Sequence, residues 1–248
     1  MVKGMEMTRA SGFDENEARA VYRAIRERRD VRRGYLPQPL PDDLLYRLLE
    51  AAHNAPSVGL MQPWRFIVVK SLAVRQAVHQ IFLDANEQAR SAYDGEQQQI
   101  YAAMKLEGIL EAPQNLCVVC DPESTQGHRL GRLTMPETAL YSAVCAVQNL
   151  WLAARAEGIG VGWVSILDLC LLRSALNIPQ HITPVAYLCL GYVDQFPVEP
   201  DLERAGWERR TPISSVVSFD SYDPQWNQQT PMACGRFTVE PKPNVNKG

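Results

Sequence analysis

The sequence predicts an α+β domain, and three observations carry that prediction. Four short apolar runs read as strands: Phe66–Val69, Leu116–Cys120, Val161–Ile166 and Val185–Val193. Longer stretches with apolar residues at helical spacing lie before and between them, so helices and strands mix along the chain. The glycine run Gly158-Ile159-Gly160-Val161-Gly162 lacks the third spacing of a dinucleotide turn and follows a helix rather than a strand. An autonomous nucleotide domain of the doubly wound kind is therefore disfavoured. The length, 248 residues with 46% apolar, suits one large domain or two small ones. No repeat or linker divides it.

Asp14 to Arg28 carries Ala18, Val21, Tyr22 and Ile25 at helical spacing. A basic turn, Arg28-Arg29-Asp30-Val31-Arg32, ends that helix, and Pro37, Pro39 and Pro41 keep the next segment extended. Asp42 opens a second helix with Leu44, Leu45, Leu48, Leu49 and Ala52 on its apolar face, stopped by Pro56. Residues 55–64 read as a loop from their prolines and glycine. Ser71 caps the helix after the first strand. The stretch from Asp84 to Leu106 is polar, breaks at Asp94-Gly95, then turns amphipathic through Ile100, Tyr101, Met104 and Leu106. It is either a solvated hairpin or a mobile cover over a site. Thr134-Met135-Pro136-Glu137 has the composition of a capping box. The helix it opens is rich in alanine, carries Leu140, Val144, Val147, Trp151 and Ala154, and stops at Gly158, as a central helix buried on most sides would. A short helix, Leu169 to Leu176, precedes the last strand, and the tail from Ser218 to Gly248 reads as extended or partly disordered.

Composition excludes several functions. The net charge of −3 argues against general nucleic-acid binding. No apolar run approaches the ~20 residues of a membrane helix. Met1 to Ala10 lacks the apolar core of a secretory leader, so the expected location is cytoplasmic. Cys117 and Cys120 have metal-pair spacing but sit in a strand, where residues three apart face opposite sides. The histidines form no metal-binding pattern, so no metal is expected. There is no P-loop, and neither Ser142 nor Ser165 lies in a nucleophile elbow.

The basic turn is the densest chemistry in the chain. Guanidinium forks at a helix-to-loop junction suit phosphate or carboxylate oxygens. Asp30 among them either neutralises its neighbours or is a reactive group held ionised by cations.

Four segments in order resemble the nitroreductase-like flavoproteins: the basic turn, Ala55-Pro56-Ser57 through Gln62-Pro63-Trp64, Gly160 to Ser165, and Arg210-Thr211-Pro212-Ile213. The resemblance narrows to one branch, the 5,6-dimethylbenzimidazole synthases or flavin destructases. Its signs are Asp30 within Arg-Arg-Asp-Val-Arg, the run Met104 to Ile109, Pro136-Glu137-Thr138 with Tyr141-Ser142, Ala146 to Trp151, and Ala205-Gly206-Trp207. It covers Asp14 to Val217, with the lid at about 84–106, and the tail departs from it.

The resemblance implies a central, mostly antiparallel sheet flanked by helices, and an intertwined homodimer with FMN at its interface. It places Arg28, Arg29, Asp30, Val31, Arg32, Pro56, Ser57, Met61, Gln62, Ser165 and Arg210 at the flavin. Reduced FMN is then a substrate. Dioxygen attacks it, and the products are 5,6-dimethylbenzimidazole, the lower ligand of vitamin B12, and erythrose 4-phosphate. A separate flavin reductase supplies the reduced FMN. Arg28, Arg32 and Arg210 are expected to neutralise the phosphate, Asp30 to act as general base at the ribityl chain, and Ser165 to meet the ring edge. Leu60 and Met61 either shield the site from water or are plain loop packing. The alternative readings are an NAD(P)H-dependent nitroreductase or flavin reductase, and a non-catalytic flavin binder.

Overall fold

Asp14 starts the first helix by a reciprocal cap: its carboxylate accepts from the amides of Asn16 and Glu17, and Glu17 accepts from the Asp14 amide. The computed structural model describes residues 12–222, so the end of the tail, 223–248, lies outside the described residues. Helix α1 (Glu15–Glu27) buries none of its residues, and Val21, Tyr22 and Ile25 stand exposed. The apolar stripe is present, but this chain's own core does not cover it. Helix α2 (Asp42–His53) buries Leu44, Leu45, Leu48 and Ala52.

Strand β1 (Trp64–Val69) follows, then α3 (Leu72–Ser91), capped by the Ser71 hydroxyl. The break at Asp94-Gly95 opens α4 (Gly95–Ala103). Residues 84–91 therefore belong to the last turns of α3, and only the second half of the polar stretch is a separate helix. Tyr93, Tyr101 and Trp207 pack their rings together and tie this hairpin to the C-terminal segment.

Strand β2 (Gln114–Cys120) leads to α5 (Thr138–Ala156), β3 (Ile159–Val164), α6 (Leu169–Leu176), β4 (Thr183–Tyr192) and the short α7 (Asp201–Arg204). Among the described residues the strands form one sheet in the order β1-β2-β4-β3, antiparallel throughout. One apolar cluster joins α2 and α5 to one face of the sheet, and a second joins α3 and α6 to the other. The middle strands β2 and β4 are buried on both faces, which is why they read as continuous apolar runs. Cys117 and Cys120 do fall on opposite faces, one in each cluster.

Strand ends differ from expectation by up to two residues, and one helix start differs in kind. The capping box at Thr134–Glu137 does not form: residues 131–137 make turns, α5 starts at Thr138, and the Thr138 hydroxyl donates back to the Met135 carbonyl at 2.6 Å. The third strand starts at Ile159 and ends at Val164, because Gly158 at φ +75° turns the chain straight from helix into strand. Helix α5 is buried along Ala139, Ala143, Ala146, Leu150 and Ala154, yet Tyr141 and Val144 face outward. Its small residues let it lie close over the sheet.

Candidate active site

The basic turn is laid along the free edge of β3. The Val31 amide donates to the Val161 carbonyl at 3.0 Å, and the Trp163 amide donates to Asp30 Oδ1 at 2.8 Å. Val31 is buried there, and β3 meets it with glycine: a Cβ on Gly162 would come within 2.1 Å of the Val31 carbonyl oxygen. Gly162 is thus required by close approach of a second backbone, while a Cβ on Gly160 would meet the side chains of Val193 and Val31.

Each arginine of the turn has a different fate. Arg28 stacks its guanidinium over the Trp151 ring at 4.5 Å. Arg29 turns away and donates to the carbonyls of Arg26, Arg28 and Val198, so its hydrogen bonds hold backbone. Arg32 pairs with Asp30 Oδ2 at 2.5 Å. Arg210 comes from the far end of the domain; its amide donates to Glu203, and its side chain remains 67% exposed. Arg28, Arg29, Arg32 and Arg210 line one recess of about 150 Å³, with Asp30 and Asp201 as its carboxylates. Asp201 is already paired with Arg204. Burial, together with the charges of Arg210 and Arg29, depresses the pKa of Arg28 against the opposing pull of Asp30. The recess is therefore short of negative charge. The buried Nε atoms of Arg29 and Arg32 have no hydrogen-bond partner among the described residues. Past Arg32, Asp201 and Leu202 lies a larger cavity of about 450 Å³ walled by α4 and α7, with Ile100, Met104, Lys105 and Arg204 on its surface.

Asp30 departs from the simple expectation. The arginines were expected to hold it ionised, but burial is the larger effect and raises its pKa above the ordinary aspartate value. Arg32, the Trp163 amide and Arg28 pull in the other direction.

The second cluster is the loop before β1. Ser57 Oγ accepts from the Gln62 amide at 3.2 Å, and the Val58 amide donates to Ser142 Oγ at 3.1 Å. Gly59, Leu60 and Gln62 all have positive φ, which is strained for the two that are not glycine. Gln126 braces the strained loop by donating to Leu60 O and Gln62 Oε1. Met61, expected at the flavin, turns its side chain into the core at 3% exposure, while Leu60 stands out at 70%. The adjacent residues thus do not form one apolar patch. Pro56 is exposed.

Ser165 lies just beyond β3, two residues after the Trp163 amide that holds Asp30. It is exposed and borders an apolar recess of about 210 Å³ with Leu167, Leu172, Pro184 and Tyr187. The same end of β3 thus has Asp30 bound beside it at Trp163 and Ser165 two residues further on, roughly 7 Å by strand rise. The loop with Ser57 and Gln62 precedes β1, at the other edge of the sheet. Three strand spacings separate the edges, about 14 Å. Tyr35 is a further residue of the site region that the motifs did not include, and Trp151, the last residue of the run Ala146 to Trp151, was given no role at the flavin. Trp151 donates from its indole to the Arg29 carbonyl, and Tyr35 donates to the Val31 carbonyl.

Residues 25–192 match the sequence model of the Nitroreductase family. The 5,6-dimethylbenzimidazole synthase of Rhodospirillum rubrum is 48% identical over 185 residues, 75% of this chain and 87% of that protein. A protein of the same name from Rhodobacter capsulatus is 42% identical over 200 residues, 81% of this chain and 96% of that protein. The chain belongs to the nitroreductase family, in its 5,6-dimethylbenzimidazole synthase branch. Among solved structures of the nitroreductase fold, iodotyrosine deiodinase bound to FMN and 3-iodo-L-tyrosine superposes with a TM-score of 0.65 at 21% identity, over 82% of this chain and 100% of that one. The α+β architecture of the nitroreductase family, an antiparallel sheet between helices, is what the present sheet and its two helical layers build.

Proposed function

We propose that the chain breaks down reduced FMN with dioxygen to 5,6-dimethylbenzimidazole and erythrose 4-phosphate, the pyrimidine part of the flavin ring leaving as a separate fragment, and so supplies the lower ligand of cobalamin. The observation that carries this reading is a buried carboxylate with raised pKa, Asp30, set inside a recess of four arginines and bonded to the edge of β3, just beyond which lies Ser165. The phosphate of FMN meets the charge deficit of Arg28, Arg32 and Arg210. Asp30 takes a proton at the ribityl carbon beside the ring. A base works best when its pKa lies nearer the working pH, and burial moves Asp30 that way. Ser165 offers one hydroxyl that donates and accepts at the ring edge. Bound FMN supplies the ring system that reacts with oxygen; the chain positions it and moves protons.

The site is completed by a second copy. Ser57 and Gln62 lie at the β1 edge, too far from Asp30 and Ser165 to share one small ring within a single chain. The exposed apolar residues Val21, Tyr22 and Ile25 on α1, with Tyr141 and Val144 on α5, give a second copy a surface to bury. No helix among the described residues is long and apolar enough to cross a membrane.

The test is direct. Protein and chemically reduced FMN are mixed with air, and the yellow absorbance is followed with product analysis. Flavin colour that fails to return, with a benzimidazole formed in its place, is expected. Full recovery of yellow FMN overturns the proposal. Sustained NAD(P)H oxidation with a nitroaromatic would then identify a reductase, in which FMN is a lasting cofactor. In the proposed role the reduced FMN comes from a separate flavin reductase.

We assign the end of α3, the turn and α4 to a lid. Its inner side forms a wall of the larger cavity, and its outer side is polar. Amide hydrogen exchange across residues 84–106 should slow when reduced FMN is added without oxygen. Equal exchange with and without the flavin would remove the lid.

A further inference from the structure

Asp30 and Val31 are held on β3 from one side only. The Trp163 amide donates to the Asp30 carboxylate and the Val31 amide donates to Val161 O, but β3 offers nothing to the Val31 carbonyl. Gly162 stands opposite that oxygen, close enough that any Cβ would collide with it. The donor comes from elsewhere. Tyr35 Oη lies 2.7 Å from Val31 O and 3.1 Å from Cys189 O. One phenol carries one proton, so the shorter contact to Val31 is the main bond.

The Tyr35 ring reaches this point through a channel made by glycines. A Cβ on Gly108 would fall 2.6 Å from the ring, and one on Gly191 would fall 3.0 Å from it. The backbone of the tyrosine is itself fixed to the end of β4, through its bridge to Val193 and the Leu36 amide donating to Tyr192 O at 2.8 Å. Burial pushes the phenol well above its ordinary pKa, so it remains a donor. The hydroxyl therefore carries the position of β4 into the peptide between Val31 and Arg32.

We propose that Tyr35 is a positioning residue: its hydroxyl fixes the Val31 peptide and so sets the Asp30 carboxylate, and the Arg32 paired with it, against the reacting part of the ligand. This rests on the assignment of Asp30 as the base in flavin fragmentation. Tyr35 touches no reacting atom in this scheme. Of the three phosphate arginines, Arg28 and Arg210 are not bonded to it and Arg32 keeps its own pairing with Asp30, so its loss should leave most of the binding and change the outcome of the reaction.

The experiment compares the parent with Tyr35→Phe, which keeps the ring and deletes the donor. Each is given reduced FMN and oxygen, and the ratio of benzimidazole formed to oxidised FMN recovered is measured beside FMN affinity and thermal stability. The variant should bind FMN as the parent does while its product ratio falls about tenfold, the effect of one lost hydrogen bond at a buried carbonyl. Gly162→Ala pushes on the same carbonyl from the other side with Tyr35 intact, and should lower the ratio in the same way. An unchanged ratio in Tyr35→Phe overturns the role of Tyr35 and leaves the functional reading standing. A fall in FMN affinity that accounts for the whole loss of product reduces Tyr35 to a structural residue and also overturns it. A parent that makes no benzimidazole overturns the functional reading, and the positioning role falls with it.

Discussion

Replacing Asp30 by asparagine should abolish benzimidazole formation while leaving FMN bound. A positioned general base contributes about 10²- to 10⁴-fold to such a step, so the loss should exceed ~100-fold. Asparagine preserves the shape that accepts from the Trp163 amide at 2.8 Å, so the turn should stay on β3. What it removes is the ability to take a proton. The variant should still consume oxygen and return yellow, oxidised FMN. The alternative is that Asp30 only orders Arg32, with which it pairs at 2.5 Å. In that case FMN affinity itself should fall, because the recess loses its arrangement of cations. Equilibrium binding of FMN, measured beside product yield, separates the two. A variant that binds normally and makes product at the parent rate would end the catalytic assignment.

The same residue predicts a pH dependence. Burial raises the pKa of Asp30, and the base works only when ionised. Product formation in the parent should therefore fall as the pH is lowered, with a midpoint above the ordinary aspartate value of 3.8. A midpoint at or below that value would show that the arginines, rather than burial, control the group.

Replacing Arg210 by alanine should weaken FMN binding with little change in the fate of the flavin that does bind. A hydrogen bond to a charged group contributes about 1.5–3 kcal/mol, a factor of ten or more in affinity. Arg210 is 67% exposed, which places the expected loss at the lower end, about tenfold. Its contribution should also shrink as salt is added, because solvent reaches it. Calorimetry of the variant at low and high ionic strength checks both points. Arg19→Ala provides the control: that arginine pairs with Glu15 at 3.1 Å on the outer face of α1 and should not affect FMN affinity. Unchanged affinity in Arg210→Ala would remove this arginine from the phosphate site.

Much of the architecture was legible from residues close together in the chain. Helix α6 was expected at Leu169 to Leu176 and is found there, with Asp168 accepting from the Cys170 and Leu171 amides. The Ser71 cap, the stop at Gly158 and the break at Asp94-Gly95 were legible for the same reason: caps and turns are decided by chemistry within three or four residues. The same signals misled at Thr134, where the composition of a capping box is present but the chain spends those residues on turns beside the strained loop before β1. The ordered motifs also identified the family, as the match over residues 25–192 bears out.

The sequence by itself determined the α+β class, the elements and the residue types available to hold an anion. Only the tertiary structure decided what those residues experience. Asp30 and Trp163 are 133 positions apart, and the burial that raises the carboxyl arises where their segments meet. Arg29 looks like its neighbours in the sequence, yet it donates to backbone carbonyls because the chain returns past it at Val198. Met61 and Leu60 are adjacent, but a positive φ at Leu60 sends one into the core and the other to the surface. The strand order that places Ser57 at one edge and Ser165 at the other is likewise a matter of pairing between distant segments. Local chemistry fixes elements over a few residues, whereas burial, charge state and the meeting of a site depend on packing across the whole domain.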